Sequence, residues 1–475
     1  MSKKIQAVDF IPHDYQEPIQ AEMAVNDHFA VFAFPGSGKT VLSLDRIYQL
    51  KQPTLIIAPI EVMWTTWFTE NQKWTFSRKL RFTVLHGPKK DQRFFLNRGV
   101  YFINPEGMKW LVKKVQSTKR FPWNVLVVDE SIRFKNHKSV QFKELCKLLK
   151  TFEYRFILSG NPMPNHYLDL WAQMYIVDMG ERLGKSWYQF RQKYFHPVDY
   201  NRFKWELIED GKERIIEKIS DVTYFLESDD EKLPKRIIDD KLIKLQDRAM
   251  AVYKDMEKKL FAEMEEAIVV ADNKTSSLMK CWQIANGFLY ESEERPHPTK
   301  PDEVIKVRIN THFVHDELML ATKSIVEELQ GEQILIAYHF TEDALRLAHE
   351  FPNARWVQSG AKPGDIKNAE RDWNNGDIEV LLVHIAKFSH GLNLQLGEGH
   401  HVLFYALTYN YDTYDQLIRR FQRQGAKFAN VIVHRLIVAD TIHEAIVANV
   451  EKKGIESLDF LTSLKEYKDS VSRLN

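Results

Sequence analysis

The chain has 475 residues, about three times the ~150 residues of an average domain, so two or three domains are expected. Hydrophobic residues make up 44% and charged residues 28%, an ordinary globular composition that excludes collagen-like and intrinsically disordered classes. Lys and Arg (66) exceed Asp and Glu (65) by one charge, so a nucleic-acid partner would have to be held by local basic patches rather than by net charge.

Membrane and secreted classes are not favoured either. No apolar run approaches the ~18–20 residues that span a bilayer, and the first ten residues lack the apolar segment of a secretion signal. The two cysteines, Cys146 and Cys281, are too few for a disulfide framework or a cysteine zinc site. We therefore expect a protein of a reducing compartment such as the cytoplasm, with no membrane partner.

Short apolar runs rich in Val, Ile, Leu and Phe alternate along the chain with charged segments of helical spacing. This alternation predicts an α/β fold, in which parallel strands are buried on both faces and connected by helices. The predicted strands of the first part cover residues 28–34, 54–59, 100–104, 124–129 and 155–159. Those of the last part cover residues 333–339, 354–359, 379–384, 401–406 and 430–437.

The middle of the chain has a different pattern. Residues 168–225 and 242–289 have helical periodicity and no clear strands, and residues 291–301 (ESEERPHPTKP) are charged and proline-rich, as exposed linkers are. The predicted domains are a first lobe over residues 1–165, a helical inter-lobe region over 166–290, a linker over 291–311 and a second lobe over 312–475.

The segment after the first predicted strand, Ala33-Phe-Pro-Gly-Ser-Gly-Lys-Thr40, has the composition of a phosphate-binding loop. Its glycines allow backbone amides to turn inward at a helix N-terminus, whose dipole favours anions. Lys39 would then reach the β and γ phosphates of ATP, and the Thr40 hydroxyl would ligate Mg²⁺. A glycine-rich turn without a ligand is the alternative, and the register of strand, loop and helix argues against it. The predicted nucleotide-binding residues are Pro35, Gly36, Ser37, Gly38, Lys39 and Thr40.

Two acidic residues, Asp129 and Glu130, end the predicted strand 124–129. The carboxyl edge of a parallel sheet is where an α/β fold places its ligand. Asp129 would hold Mg²⁺ through water, and Glu130 would orient and deprotonate the attacking water. An acidic pair at a strand end is often only a polar turn, but its combination with the phosphate loop favours the functional interpretation.

In the last part, Gln416, Arg420 and Arg423 recur at i, i+4 and i+7, which predicts that they share one face of a helix. The permanently charged, forked guanidinium suits a site that faces phosphates. A solvated basic helix is the alternative. The segment follows the predicted strand 401–406 of the second α/β unit, from which an arginine finger would come, and this favours a catalytic role for both arginines. His400 and His401 show no ligand spacing with carboxylates, so no histidine metal site is predicted.

In this order, the motifs resemble those of superfamily 2 helicase-like ATPases, and among these the Swi/Snf-like double-stranded DNA translocases of the compact phage or bacterial type. The similarity runs from about Pro12 to about Ile446. The most specific stretch is Asp129-Glu-Ser-Ile-Arg-Phe-Lys-Asn136, whose last residues match the extended acidic motif of this branch. The main departure is Ile132, where the family generally has a histidine; His390 replaces a small residue and Ala426 a common glutamine.

The resemblance implies two RecA-like lobes with inserted helical segments between them, and an ATP- and Mg²⁺-dependent motor that moves on double-stranded DNA as a monomer. Replication, recombination or transcription proteins would be its further partners. By the same resemblance, Tyr15, Gln16, Gly391, Asn393 and Gln416 contact the nucleotide, Ser159, Gly160 and Asn161 couple the sites, and Lys135, Asn136, Lys387 and Ser389 contact DNA. A strand-separating DNA or RNA helicase and an inactive ATP-binding clamp or polymerase-associated protein are the alternatives.

Overall fold

The computed structural model describes residues 7–34, 36–96, 99–160, 167–198, 205–226, 233–266, 271–297, 300–358, 361, 363–388, 392–423 and 425–453. These residues form two compact units, the first including residues 7–226 and the second residues 233–452. Within the described part of the chain, no helix combines the length and the apolar character needed to cross a membrane.

The first unit is a seven-stranded parallel sheet with helices between its strands. Its strands are β1 (His28–Ala33), β2 (Thr54–Ile57), β3 (Phe82–Val84), β4 (Val100–Ile103), β5 (Val125–Val128), β6 (Tyr154–Ser159) and β9 (Thr223–Leu226), and a separate antiparallel pair consists of β7 (Phe195–Pro197) and β8 (Trp205–Leu207). Its helices are α1 (Glu17–Val25), α2 (Lys39–Leu50), α3 (Ile60–Val62), α4 (Phe68–Lys73), α5 (Lys90–Arg93), α6 (Met108–Thr118), α7 (Val140–Cys146), α8 (Leu170–Asp178), α9 (Trp187–Tyr194) and α10 (Gly211–Ile219). The strand order is β3-β4-β2-β5-β6-β1-β9.

The second unit contains a six-stranded parallel sheet in the order β10-β17-β16-β13-β15-β14 and an antiparallel hairpin of β11 and β12. Its strands are β10 (Lys235–Ile243), β11 (Phe288–His297), β12 (Lys300–Phe313), β13 (Ile334–Tyr338), β14 (Arg355–Val357), β15 (Val380–His384), β16 (His401–Phe404) and β17 (Asn430–Val438). Its helices are α11 (Asp247–Glu266), α12 (Ala271–Ala285), α13 (Glu317–Glu328), α14 (Thr341–Glu350), α15 (Pro363–Asn374), α16 (Ile385–Phe388) and α17 (Tyr411–Ile418), followed by a helix over residues 442–453.

The central strands are apolar throughout because both faces of each sheet are covered. In β13, Leu335 and Ala337 pack into one hydrophobic cluster, whereas Ile334 and Ile336 pack into another. Successive side chains of a strand point to opposite faces, so the sheet lies between two apolar layers. The predicted α/β class is confirmed, and each of the ten predicted strands corresponds to a strand of the structure.

The middle of the chain differs from the prediction. Residues 166–290, predicted to be a helical inter-lobe region, contain β7, β8, β9, β10 and the start of β11. The predicted linker 291–311 is not a linker, because it pairs as the antiparallel hairpin β11–β12. Strand β9 adds to the edge of the first sheet beside β1, and β10 adds to the edge of the second beside β17. Residues 167–226 therefore belong to the first unit and residues 233–290 to the second.

Candidate nucleotide site

Three neighbouring strands of the first sheet bring the predicted site residues of this unit to one edge. Strands β5, β6 and β1 are adjacent and parallel, so their carboxyl ends lie side by side. The phosphate loop follows β1, Asp129 follows β5, and Ser159 is the last residue of β6 between them. Ligands of α/β folds bind at this edge.

The loop between β1 and α2 has the backbone conformation that its glycines allow. Gly36 and Gly38 have φ angles of 90° and 86°, in the left-handed region, and Gly38 immediately precedes α2. The Lys39 ammonium donates hydrogen bonds to the carbonyl oxygens of Ala33 and Phe34, the latter at 3.0 Å. Thr40 lies half-buried in the first turn of the same helix. The loop therefore places an ammonium and a hydroxyl beside backbone amides at a helix N-terminus, where an anion is stabilised.

Gln16 connects this loop to the N-terminal helix. Its side chain is 3% exposed; the amide oxygen accepts from the backbone N–H of His13 at 3.0 Å, and the amide nitrogen donates to the carbonyl of Ser37 at 2.9 Å. Glycine suits position 38 because its φ angle of 86° is one that other residues rarely adopt, and a Cβ atom there would also lie 2.3 Å from Gln16 Nε2 and displace this amide. Tyr15 stacks on His13 and lies beside Phe34 of the loop, with ring centroids 5.3 and 6.3 Å apart respectively. Tyr15 and Gln16, both predicted to contact the nucleotide, are thus packed directly against the phosphate loop.

Asp129 is a buried carboxylate held by two donors. Oδ2 accepts from the indole N–H of Trp67 at 2.8 Å, and Oδ1 accepts from the backbone N–H of Glu130 at 3.0 Å. Burial raises the pKa of the Asp129 carboxyl, while the Trp67 bond, the charge of Lys39 and the Glu130 N–H oppose that rise. Trp67 is completely buried at the end of a short π-helix, Met63–Trp67. This helix type is rare in proteins, and where it occurs it is often at a functional site.

Glu130 has a strained backbone. Its φ angle is 53°, and it immediately precedes the 3₁₀ helix Ser131–Phe134. A non-glycine residue in the left-handed region costs of order 1–3 kcal/mol and is found most often where the fold needs a side chain aimed in one direction. The structure therefore holds this carboxylate in an orientation that an ordinary turn does not provide.

The residues after the acidic pair are fixed by α8. The hydroxyl of Ser131 donates to Gln173 Oε1 at 2.8 Å, and Gln173 donates to the carbonyl of Asp169 at 2.9 Å. Lys135, predicted to contact DNA, forms an ion pair with Asp169 at 3.1 Å, and Asn136 is exposed. Ile132 is 8% exposed, so this position packs into the fold rather than presenting a polar group.

In the second unit, Arg420 and Arg423 lie close to each other and to the loop of Asn393. Arg423 donates to the side-chain oxygen of Asn393, and Arg420 is 9% exposed. Burial and the neighbouring Arg420 guanidinium lower the pKa of Arg423, while Glu370 opposes this. Two partly desolvated guanidiniums repel each other, and an anion bound between them relieves that repulsion.

The predicted helical face for these arginines is wrong. Helix α17 ends at Ile418, so Gln416 lies in the helix whereas both arginines lie in the turns that follow. The regular four-residue spacing of the backbone bonds breaks after Arg419: the N–H groups of Arg420 and Phe421 donate to carbonyls three residues back, and that of Arg423 to the carbonyl two residues back. Gln416 is 5% exposed and its amide nitrogen donates to Asp412 at 3.0 Å, not toward the arginines.

Several predicted site residues lie outside the described part of the chain: Pro35, Asn161, Ser389 and Gly391, together with the side chain of Lys387. Gly160 directly follows β6, and Ser159 is completely buried.

Sequence analysis missed three residues that hold the predicted ones in place: Trp67 on Asp129, Gln173 on Ser131, and Glu370, which accepts the Asn393 backbone N–H at 2.9 Å. Trp67 and Gln173 are separated from their partners by 62 and 42 residues, so no local spacing could have identified them.

A parallel α/β sheet with a phosphate loop after one strand and an acidic pair after a nearby strand defines a P-loop nucleotide-binding protein. The chain belongs to the SNF2-related family, because the SNF2-related domain matches residues 1–287, more than half of its 475 residues. Its second unit repeats the parallel-sheet architecture. The predicted Swi/Snf-like family and two-sheet α/β fold are confirmed.

Individual relatives agree with this assignment. Protein p41 of Acyrthosiphon pisum secondary endosymbiont phage 1 is 30% identical, with 94% of this chain and 98% of the phage protein covered, which fits the compact phage or bacterial type. In Saccharomyces cerevisiae, the ISWI chromatin-remodeling complex ATPase ISW2 is 23% identical and the transcription regulatory protein SNF2 is 24% identical, each over 88% of this chain. The chain spans only 38% and 26% of the length of those two proteins. The solved Sulfolobus solfataricus SWI2/SNF2 ATPase core in complex with dsDNA is 22% identical, with a TM-score of 0.43, over 98% of this chain and 95% of that chain.

Proposed function

We propose that this protein is a DNA-dependent ATPase motor that hydrolyses ATP to move along double-stranded DNA, acting as a monomer and remodelling protein–DNA or branched DNA complexes. The observation that carries the proposal is the grouping of Lys39, Asp129 and Glu130 at the carboxyl edge of one sheet in a member of the SNF2-related family. Such a grouping supplies a phosphate-binding cation, a metal-binding carboxylate and a second carboxylate for water.

The residues present fit a magnesium–nucleotide substrate. Thr40 offers a hydroxyl and Asp129 a carboxylate, the oxygen ligands that Mg²⁺ prefers. When bound, Mg²⁺ would neutralise charge on the β and γ phosphates. Lys39 would exchange its bonds to the carbonyls of Ala33 and Phe34 for bonds to phosphate, and Glu130 would orient the attacking water and accept its proton.

Arg420 and Arg423 would act on the γ phosphate. Their mutual repulsion and partial desolvation support this, because both favour a bound anion. An arginine supplied to a phosphoryl-transfer site is worth about 10³–10⁵ in turnover, so the motor would be nearly inactive until this pair engages the nucleotide.

Double-stranded DNA would be held mainly by its phosphates, by Lys135, Asn136, Lys387 and Ser389. Such contacts carry little sequence preference and weaken steeply with salt. The ion pair of Lys135 with Asp169 means that this lysine would exchange a carboxylate for a phosphate on binding DNA.

The test is a steady-state ATPase assay without nucleic acid and with single-stranded DNA, duplex DNA or RNA, each at two salt concentrations. We expect duplex DNA to stimulate hydrolysis most, and both Lys39→Ala and Glu130→Gln to abolish it. Lys51→Ala is a matched control, since Lys51 follows α2 at its opposite end from the loop. Unstimulated hydrolysis, or full activity of Lys39→Ala, would contradict the motor.

Translocation is tested separately on a duplex that carries a third strand. A double-stranded DNA translocase displaces the third strand without separating the duplex. Release of a duplex strand instead would support a strand-separating helicase.

A further inference from the structure

The second unit contains a chain of hydrogen-bonding side chains that the nucleotide site does not use. It joins three strands of the sheet: Asp239 on β10, His434 on β17 and His401 at the start of β16, and it ends at Glu332 just before β13. Asp239 Oδ2 lies 2.7 Å from His434 Nδ1, His434 Nε2 lies 3.0 Å from His401 Nδ1, and His401 Nε2 lies 3.2 Å from Glu332 Oε2. His401 is 5% and His434 7% exposed.

These three contacts need three hydrogens, but two neutral imidazoles carry only two. Asp239 is fixed as a carboxylate by Lys241, whose ammonium lies 3.1 Å from Oδ2, so Asp239 accepts the Nδ1–H of His434. His434 Nε2 then accepts the Nδ1–H of His401. The lone pair of His401 Nε2 is consequently directed at the carboxylate of Glu332, and two acceptors face each other unless a cation lies between them.

A neighbouring histidine, His400, offers a further ligand atom at the same place. The Nδ1 atom of His400 lies 3.0 Å from the carbonyl oxygen of Glu398, which can only accept, so Nδ1 carries the hydrogen and Nε2 is the acceptor. One ligand atom from each of Glu332, His400 and His401 lies within 4.8 Å of the other two. Two imidazoles with Nδ1–H bonded to an acceptor, and one carboxylate, form the arrangement in which metal-ligating histidines are found.

We propose that Glu332, His400 and His401 bind a divalent cation of the zinc type, with Asp239, His434 and the Glu398 carbonyl orienting the two rings. Ligand atoms around a tetrahedral Zn²⁺ lie about 3.3 Å apart. Glu332, whose side chain is 60% exposed, can move to complete the site, and its exposure gives the ion a path from solvent. Water would fill the fourth position.

The alternative to a bound cation is a proton shared between His401 Nε2 and the Glu332 carboxylate. A proton joins only two groups, whereas three ligand atoms converge here. The cation satisfies all three.

The site lies at the amino ends of β13 and β16, the edge of the sheet opposite the carboxyl edge that α/β folds use for their ligands. We therefore expect the ion to brace the strand starts of the second unit rather than to take part in hydrolysis. The two cysteines do not compete for it, because Cys281 is completely buried and burial raises the pKa of the Cys146 thiol to about 12.

The test measures metal binding to the full chain after chelation, with excess Mg²⁺ present to keep other divalent ions out of the nucleotide site. Co²⁺ is titrated by its visible absorption, Zn²⁺ by competition, and bound metal is counted per chain. We expect one ion per chain and a thermal unfolding midpoint that rises with Zn²⁺. Glu332→Gln and His400→Ala, both at accessible positions, should each weaken binding at least 10-fold, and Asp239→Asn about 10–100-fold.

His349→Ala, an exposed histidine of α14 in the same unit, is the matched control and should bind as the unsubstituted protein does. Absence of stoichiometric binding, or equal binding by Glu332→Gln, His400→Ala and the control, overturns the proposal.

Discussion

Replacing Trp67 with phenylalanine removes one hydrogen bond at the centre of the candidate nucleotide site. The indole N–H of Trp67 donates to Asp129 Oδ2 at 2.8 Å, and both residues are buried. Phenylalanine keeps an aromatic ring in the core but has no N–H. The substitution therefore leaves a buried carboxylate with only the Glu130 backbone N–H as a described hydrogen-bond donor to its oxygens.

The magnitude follows from the charge of the acceptor. A hydrogen bond to a charged group contributes about 1.5–3 kcal/mol, and one pKa unit corresponds to about 1.4 kcal/mol, so the pKa of Asp129 should rise by a further ~1–2 units. Burial already raises this pKa. Because the lost bond is strongest to the ionised form, the loss in unfolding free energy should be about 1.5–3 kcal/mol at neutral pH and smaller in acid, where the carboxyl is protonated.

The assay is the pH dependence of kcat/KM for ATP hydrolysis. We expect the acidic limb of the Trp67→Phe profile to move upward by about 1–2 pH units, because in the proposed mechanism Asp129 holds the metal in its ionised form. Trp74→Phe is the matched control: its indole donates to Glu70 at 2.6 Å, another tryptophan-to-carboxylate bond away from Asp129. The reasoning is refuted if the two variants give the same profile, since the effect would then not pass through Asp129.

Three further predictions follow from the same structure. Arg423→Lys should lower turnover by about 10³-fold or more, since a point charge cannot replace the fork, while Arg371→Lys at an exposed position should not. Lys135→Ala should cost under about 1 kcal/mol of stability but flatten the salt dependence of DNA binding by about one counterion, whereas Lys147→Ala, which also breaks an ion pair, should leave the salt slope unchanged. Burial lowers the pKa of His443 to about 3. As the pH falls, His443 therefore binds a proton in the unfolded chain before it does so in the folded protein. The free energy of unfolding should consequently fall as the pH drops from ~6.5 toward 4, by up to about 1.4 kcal/mol per pH unit. In denaturant titrations, His443→Gln should reduce that slope by the share of His443, while other buried histidines such as His339, whose pKa burial lowers to about 4, supply the remainder; an unchanged slope would contradict the assignment to His443.

The central strands could be predicted from sequence because burial on both faces leaves an uninterrupted apolar run. The edge strands β3, β9 and β10 were not predicted, whereas the edge strand β14 was. β10 has the sequence KRIIDDKLI and pairs on only one side, so its charged residues remain accessible and the apolar signal disappears. The hairpin of β11 and β12 is hidden for the same reason, since it forms a separate two-stranded sheet with charged residues and prolines.

In the candidate site, too, some residues could be predicted from sequence and others could not. The phosphate loop and the acidic pair are local sequences whose chemistry depends on a single strand end, so their spacing predicts their placement. The supports are not local: Trp67 reaches Asp129 only because β2 and β5 are neighbours in the sheet. The arginines were predicted to lie in a helix because their i, i+4 spacing is the only local signal there. In the structure α17 ends before them, and the turn that ends it is accompanied by the burial of Phe421 and by the Arg419–Asp415 ion pair at 2.5 Å.

Gln16 has two roles in the candidate nucleotide site, and this limits how the site can change. The Gln16 amide, which we propose contacts the base of the nucleotide, also ties the N-terminal helix to Ser37 of the phosphate loop. We therefore expect base discrimination and triphosphate affinity to change together when Gln16 is replaced. We expect a Gln16 variant with relaxed base specificity to have a looser phosphate loop as well. Such a variant would accept more kinds of nucleotide but bind each of them with lower affinity.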